Sequence, residues 1–145
     1  MKQLTILILS IFIFCGMFFF GCENCNCFCA AYDAEELKLN DTLELRYREL
    51  YCNSEHDFRL SFDSLGDGRC PIGAYCIWEG NAHIDFIIKQ EGRSEQTFTL
   101  NTIEGFLTDT TVNGIRFELI DLFPYPEVDK DYSLDDYVLQ VYISD

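Results

Sequence analysis

From Leu37 to Ile143 the apolar residues return at every second position. Leu37 and Leu39 alternate with Glu36 and Lys38, Leu43, Leu45 and Tyr47 with Glu44, Arg46 and Arg48, and Phe58, Leu60 and Phe62 with Arg59, Ser61 and Asp63. The rhythm continues in Ala82, Ile84, Phe86 and Ile88, in Phe98 and Leu100, in Ile115, Phe117 and Leu119, and in Leu139, Val141 and Ile143. Successive side chains of a strand point to opposite faces, so this pattern describes sheets with one buried and one wet face, and no helical stripe of useful length competes with it. The expected fold is all-β, an antiparallel sandwich or an open barrel of about seven to nine short strands. Turn residues fall between the runs: Asn53-Ser54, Glu91-Gly92, Asn113-Gly114 and Pro124-Tyr125-Pro126. Asn113-Gly114 is the strongest hairpin signal, because both central positions of a type I′ turn need positive φ. The apolar phase slips between Tyr47 and Leu50, which predicts a bulge near Glu49.

Ahead of this body lies a different kind of segment. Leu4 to Phe20 is an apolar run broken only by Thr5, Ser10 and Gly16, with Lys2 before it. As a helix it would reach about 25 Å, short of the ~30 Å hydrocarbon core, and no charged stop follows, so it reads as a signal peptide. Phe19-Phe20-Gly21-Cys22 then resembles the lipobox of bacterial lipoproteins, in which the signal is cut before a cysteine that carries acyl chains such as palmitate. Cleavage near Ala30 or Ala31, or retention of the run as a membrane helix, are the alternatives. The chain divides accordingly into 1–21 (signal peptide), 22–34 (cysteine-rich tether) and 35–145 (β domain). Two or three acyl chains at Cys22 anchor a protein stably without any spanning helix. Outer-membrane location and contact with the membrane through that anchor are the expectations.

Charge excludes several classes of partner. The 145-residue chain carries 10 Lys+Arg against 25 Asp+Glu, a formal charge of −15, and Lys2 is the only charge in 1–21. Such a surface repels a phosphate lattice, which excludes nucleic acid, and it lacks any polybasic patch for anionic lipid. No phosphate- or nucleotide-binding loop is present, and the sequence implies no cofactor. An envelope protein or a glycan remains as the class of partner.

Eight cysteines occur, and export to an oxidising compartment makes disulfides the default for those beyond Cys22. Cys70 and Cys76 bracket Pro71-Ile72-Gly73-Ala74-Tyr75, where Pro71 and Gly73 permit a tight reversal, and a bridge is expected there. Closing so short a loop stabilises by only about 2 kcal/mol, so its role is to hold a loop shape. Cys25, Cys27 and Cys29, with Cys52, make a candidate four-sulfur site for zinc or copper(I). The competing reading is one disulfide to Cys52 with the other thiols left in the tether.

Residues 67–82, Asp-Gly-Arg-Cys-Pro-Ile-Gly-Ala-Tyr-Cys-Ile-Trp-Glu-Gly-Asn-Ala, resemble the signature of a family of small exported bacterial proteins, Asp-Ser-Arg-Cys-Pro, four residues, Cys-x-Trp-x-Gly-x-Ala. Gly68 replaces the Ser; every other fixed position matches. Gly114 to Leu119, leading into Pro124-Tyr125-Pro126 and a closing strand, is similar to the family's carboxy-terminal half. The resemblance implies an envelope location and a β domain, and it implies no reaction. Read physically, Arg69 offers a fork of donors that can clamp Asp67, Trp78 can lid the Cys70–Cys76 bridge, and Gly80 allows close backbone approach. This structural reading is preferred to one in which Arg69, Tyr75 and Trp78 form an exposed ligand or partner surface.

Other chemistry is thinly supplied. His83 and Asp85 share the polar face of one strand, the pattern of a base and its orienter, so an envelope hydrolase is a second alternative behind the metal protein. No Gly-x-Ser-x-Gly elbow accompanies them, and the chain reads as a non-enzyme. Asp129, Asp131, Ser133, Asp135 and Asp136 begin like a calcium loop, but Leu134 stands where the sharp turn needs Gly and Gln140 where a bidentate Glu belongs. Asp41-Thr42-Leu43, Asp63-Ser64-Leu65 and Asp109-Thr110-Thr111 resemble sites of O-linked glycosylation in some bacterial envelopes. The expectation is an anchored lipoprotein with a binding or structural β domain.

Overall fold

A computed structural model describes residues 27–145. The predicted signal peptide, Cys22, Cys25 and the side chain of Cys27 lie outside the described residues. Nine strands follow a single helical turn, α1 (Cys27–Ala30): β1 (Glu35–Glu36), β2 (Asp41–Arg46), β3 (Tyr51–Asn53), β4 (Phe58–Asp67), β5 (Ala82–Gln90), β6 (Gln96–Asn101), β7 (Asp109–Val112), β8 (Ile115–Phe123) and β9 (Val138–Ser144). They form two sheets, one in the order β1-β3-β4-β5-β6 and the other β2-β9-β8-β7. Every pairing is antiparallel except the short β1–β3 contact. The all-β sandwich read from the alternation is therefore the fold.

The alternating residues are the core. Phe58, Leu60 and Phe62 of β4, Ala82, Ile84, Phe86 and Ile88 of β5, Ile115 and Phe117 of β8, and Leu139, Val141 and Ile143 of β9 are all buried. Phe117 is edge-on to Phe58 at 6.3 Å between ring centroids and 5.0 Å from Phe98, which itself stacks on Phe86 at 5.0 Å. This aromatic line joins the two sheets through their middles.

Two expectations need correction. There is no bulge at Glu49: residues 47–50 carry the chain from one sheet to the other, with Arg48 at φ 59°, so the phase slips because the strand changes partners. The bulges lie instead between Phe62 and Ser64 and between Leu119 and Asp121. Leu37 and Leu39 alternate as expected, but the strand there is only Glu35–Glu36. Asn53 explains this break: its buried amide donates to the Leu37 carbonyl at 3.0 Å and its oxygen accepts the His56 N–H at 2.8 Å, so side-chain bonds replace the ladder.

The β7–β8 hairpin follows its turn chemistry, with Asn113 at φ 56°, Gly114 at φ 88° and Val112 opposite Ile115. Asn113→Ala is expected to cost about 1 kcal/mol, because alanine tolerates a left-handed φ less well than asparagine. Urea unfolding checks it, as a lower midpoint at unchanged slope.

The sandwich has two unlike ends. Loops 68–81, 102–108 and 124–137 close one end, and turns 54–57, 91–95 and 113–114 close the other. Cys29 is bonded to Cys52, which sits opposite Arg59 near the start of β4. Arg59 and Asp67 stand eight positions apart along β4, or about 25 Å. The described part of the tether thus joins the sandwich far from the loop that carries the sequence signature.

Candidate functional site

That loop is built on a buried ion pair. Asp67 ends β4, and Arg69, only 7% exposed, folds back on it. Arg69 Nε donates to Asp67 Oδ1 at 2.9 Å and Nη2 to Oδ2 at 2.7 Å, a bidentate fork. The remaining donors cross to the other sheet: Nη1 reaches the Leu122 carbonyl and Nη2 the Pro124 carbonyl, both at 2.7 Å. The guanidinium lies 4.6 Å from the centroid of the Tyr125 ring, and the Tyr137 hydroxyl donates to Asp67 at 3.2 Å. Burial pushes the Asp67 carboxyl up, but the hydrogen bonds and charge of Arg69, helped by Tyr137, outweigh it and hold the group below the usual aspartate range. Burial, and then the Asp67 charge, push the Tyr137 phenol up to about 12.

Above this clamp the loop is closed at its base. The Cys70–Cys76 disulfide forms as expected, with Cα atoms 6.0 Å apart. The Cys70 N–H bonds the Glu79 carbonyl at 2.7 Å, and the Gly68 N–H bonds the Asn81 carbonyl at 2.9 Å. Ile72 pairs through both its N–H and its carbonyl with the 126–128 segment. Gly80, buried at φ 78°, lies against the backbone of Gly68 and Arg69, where a Cβ would collide with both. The close backbone approach assigned to Gly80 is therefore real.

What the loop displays is apolar. Tyr75 and Ile77 are fully exposed, Trp78 is 55% exposed, and Ile72, Phe106, Tyr125 and Val128 add exposed apolar surface from the same loop and the two beside it. This corrects two expectations. Trp78 is not a core lid, because the Cys70–Cys76 bridge sits in an exposed loop rather than between the sheets. Arg69 is not surface, because its donors are used internally, so the exposed set is Tyr75 and Trp78 with Ile77 added. Alternation alone missed Ile77, since it stands outside every strand. A shallow recess of about 160 Å³ beside the loop is lined by Arg69, Glu79, Thr102, Ile103, Asp121 and Tyr125.

The other candidate sites are differently placed. Cys29 and Cys52 are joined as a disulfide, the competing reading of the cysteine cluster. The Glu36 carboxylate lies 3.8 Å from the Cys52 sulfur, so two sulfurs and a carboxylate share this corner, but bonded sulfurs are not thiolate ligands. On β5, Asp85 accepts a hydrogen bond from Thr99 at 2.6 Å rather than from His83, whose ring instead fills the space left open by Gly66. His56 lies 3.5 Å from Asp145 in a recess of about 390 Å³ at the opposite end, whose lining has no Ser, Thr or Cys. In the acidic loop, Asp136 accepts hydrogen bonds from the Ser133 N–H and hydroxyl, both at 2.8 Å, so one carboxylate of the calcium-like pattern is already engaged. No protein-family model, curated protein or solved structure matches the chain.

Proposed function

We propose that the chain is an outer-membrane lipoprotein, cut before Cys22 and acylated there, that presents a non-catalytic binding domain to another component of the envelope. The observation that carries this reading is the disulfide-closed loop projecting Tyr75, Ile77 and Trp78 into solvent at the end of the sandwich away from the corner where the described part of the tether joins it. A rigid loop holding aromatic and aliphatic side chains free of their own core is costly to solubility and suited to recognition. The resemblance of residues 67–82 to an exported family and the lipobox-like Gly21-Cys22 support the location.

Two measurements test it. Intact mass of the protein from its own membranes is expected to show a chain beginning at Cys22 with acyl chains added; an unacylated chain cut elsewhere overturns the anchor. A photo-crosslinking residue at position 75 is expected to give a discrete, saturable adduct in intact cells, whereas the same residue at Ser94, in the turn at the far end, gives none. Equal labelling from both positions, or none from 75, overturns the binding surface.

A further inference from the structure

We propose that the 70–79 loop is a peptidase-inhibitory loop that enters the active-site cleft of a cationic serine peptidase, with Tyr75 in an aromatic-selective pocket. The inference rests on the binding reading above and names the partner of that surface. Three observations lead to it.

The first is unused main chain. Among the described residues, the backbone of Tyr75, Cys76, Ile77 and Trp78 makes no hydrogen bond, and Tyr75 and Ile77 stand fully exposed two residues apart. A short segment with free N–H and C=O groups and protruding side chains is what a cleft reads when it pairs with an extended peptide and takes its side chains in pockets. A flat partner, or a sugar lying on an aromatic platform, has no use for those backbone groups.

The second is restraint on both sides of one bond. Cys76 is tied to Cys70, Cys70 to Glu79 through the backbone, and Ile72 to the 126–128 segment. When a peptidase serine adds to the Tyr75 carbonyl carbon, the Tyr75–Cys76 C–N bond breaks and the serine proton passes to the Cys76 nitrogen. The disulfide keeps that new amine beside the acyl-enzyme. It re-attacks, returns the proton to serine and restores the peptide bond before water can hydrolyse the ester. Such a loop binds like a substrate and turns over slowly because its leaving group does not leave.

The third is charge. Loops 68–81, 102–108 and 124–137 contain seven carboxylates, among them Glu79, Glu104 and Asp129, against two cations, Arg69 and Lys130, which are already paired with Asp67 and Glu127. An apolar tip inside an acidic rim complements a cleft with a cationic border and disfavours a second copy of this chain, whose own charge is −15.

Chymotrypsin, with an aromatic-selective pocket, and trypsin, with a cation-selective one, are the probes. The oxidised protein is expected to inhibit chymotrypsin at one-to-one stoichiometry and to leave trypsin active. Tyr75→Ala weakens inhibition by about 100-fold, the scale of a single buried hot-spot side chain. Tyr75→Lys transfers inhibition from chymotrypsin to trypsin, and both variants fold because residue 75 touches nothing. The Cys70→Ala, Cys76→Ala variant, which keeps the Cys29–Cys52 bridge, becomes a substrate cut after Tyr75. No inhibition of chymotrypsin, inhibition indifferent to Tyr75, or rapid cleavage of the oxidised loop to stable product overturns the proposal. If inhibition fails while crosslinking at position 75 persists in cells, only the peptidase is wrong; if both fail, the binding surface is wrong.

Discussion

Arg69→Ala is expected to lower the thermal midpoint by about 10–20 °C, corresponding to a loss of about 3–5 kcal/mol for breaking one partner out of a buried ion pair. The size follows from what is left behind. Both side chains of the pair are 6% exposed, so truncating Arg69 strands the Asp67 carboxylate without its cation and frees the Leu122 and Pro124 carbonyls that tie β8 to β4. The pH dependence identifies the cause. In the intact protein Asp67 is held below its ordinary value of 3.8, so the pair's contribution is complete above that value and is lost as pH falls through the lower folded one. In the variant, burial is no longer opposed, and the carboxyl is easier to keep folded when protonated. The stability gap between the two proteins therefore narrows as pH falls, first above the ordinary aspartate value as the variant's buried carboxyl takes up a proton, and then below it as the intact pair is lost. Urea titrations at neutral pH and at pH ~3 measure both gaps; an unchanged gap would show that lost packing on Tyr125, and not the charge pair, is responsible. The double variant Asp67→Asn, Arg69→Met is expected to recover part of the loss, because it removes both charges together.

The core was legible because burial in a sandwich has a period of two, and Phe58 to Phe62, Ala82 to Ile88 and Leu139 to Ile143 keep that period without interruption. It was less legible where side chains replace the ladder, as Asn53 does for Leu37, and where the chain changes sheets at Arg48. At the candidate site, Cys70–Cys76, the Arg69–Asp67 clamp and the tight approach at Gly80 could each be read from neighbours in sequence. The direction in which the loop projects could not, since it depends on Leu122, Pro124 and the 126–128 segment, more than 45 residues away along the chain. A lone tryptophan near a disulfide suggested a core device, but the same composition serves an exposed tip once the loop is anchored from below.

Removing the other disulfide, through Cys29→Ala with Cys52→Ala, is expected to cost about 3 kcal/mol and to leave the tip unaffected. The bond closes a loop across a sequence separation of 23, which by chain entropy is worth more than the Cys70–Cys76 bridge with its separation of 6. It also fixes residues 27–34 to the sandwich, beside Glu36 and Ser54. With about 25 Å of β4 between this corner and Asp67, position-75 crosslinking and chymotrypsin inhibition should match those of the unaltered protein. The Cys70→Ala, Cys76→Ala pair should show the reverse, a smaller loss of about 2 kcal/mol with inhibition abolished. Chelation adds a decisive arm, because a sulfur spent in a disulfide cannot serve as a thiolate ligand. The oxidised protein should keep its thermal midpoint in the presence of chelator. A drop of several degrees on chelation, absent from the Cys29 and Cys52 variant, would mean that these sulfurs hold a soft metal with Glu36, and the tether would then be a metal site instead of a clasp.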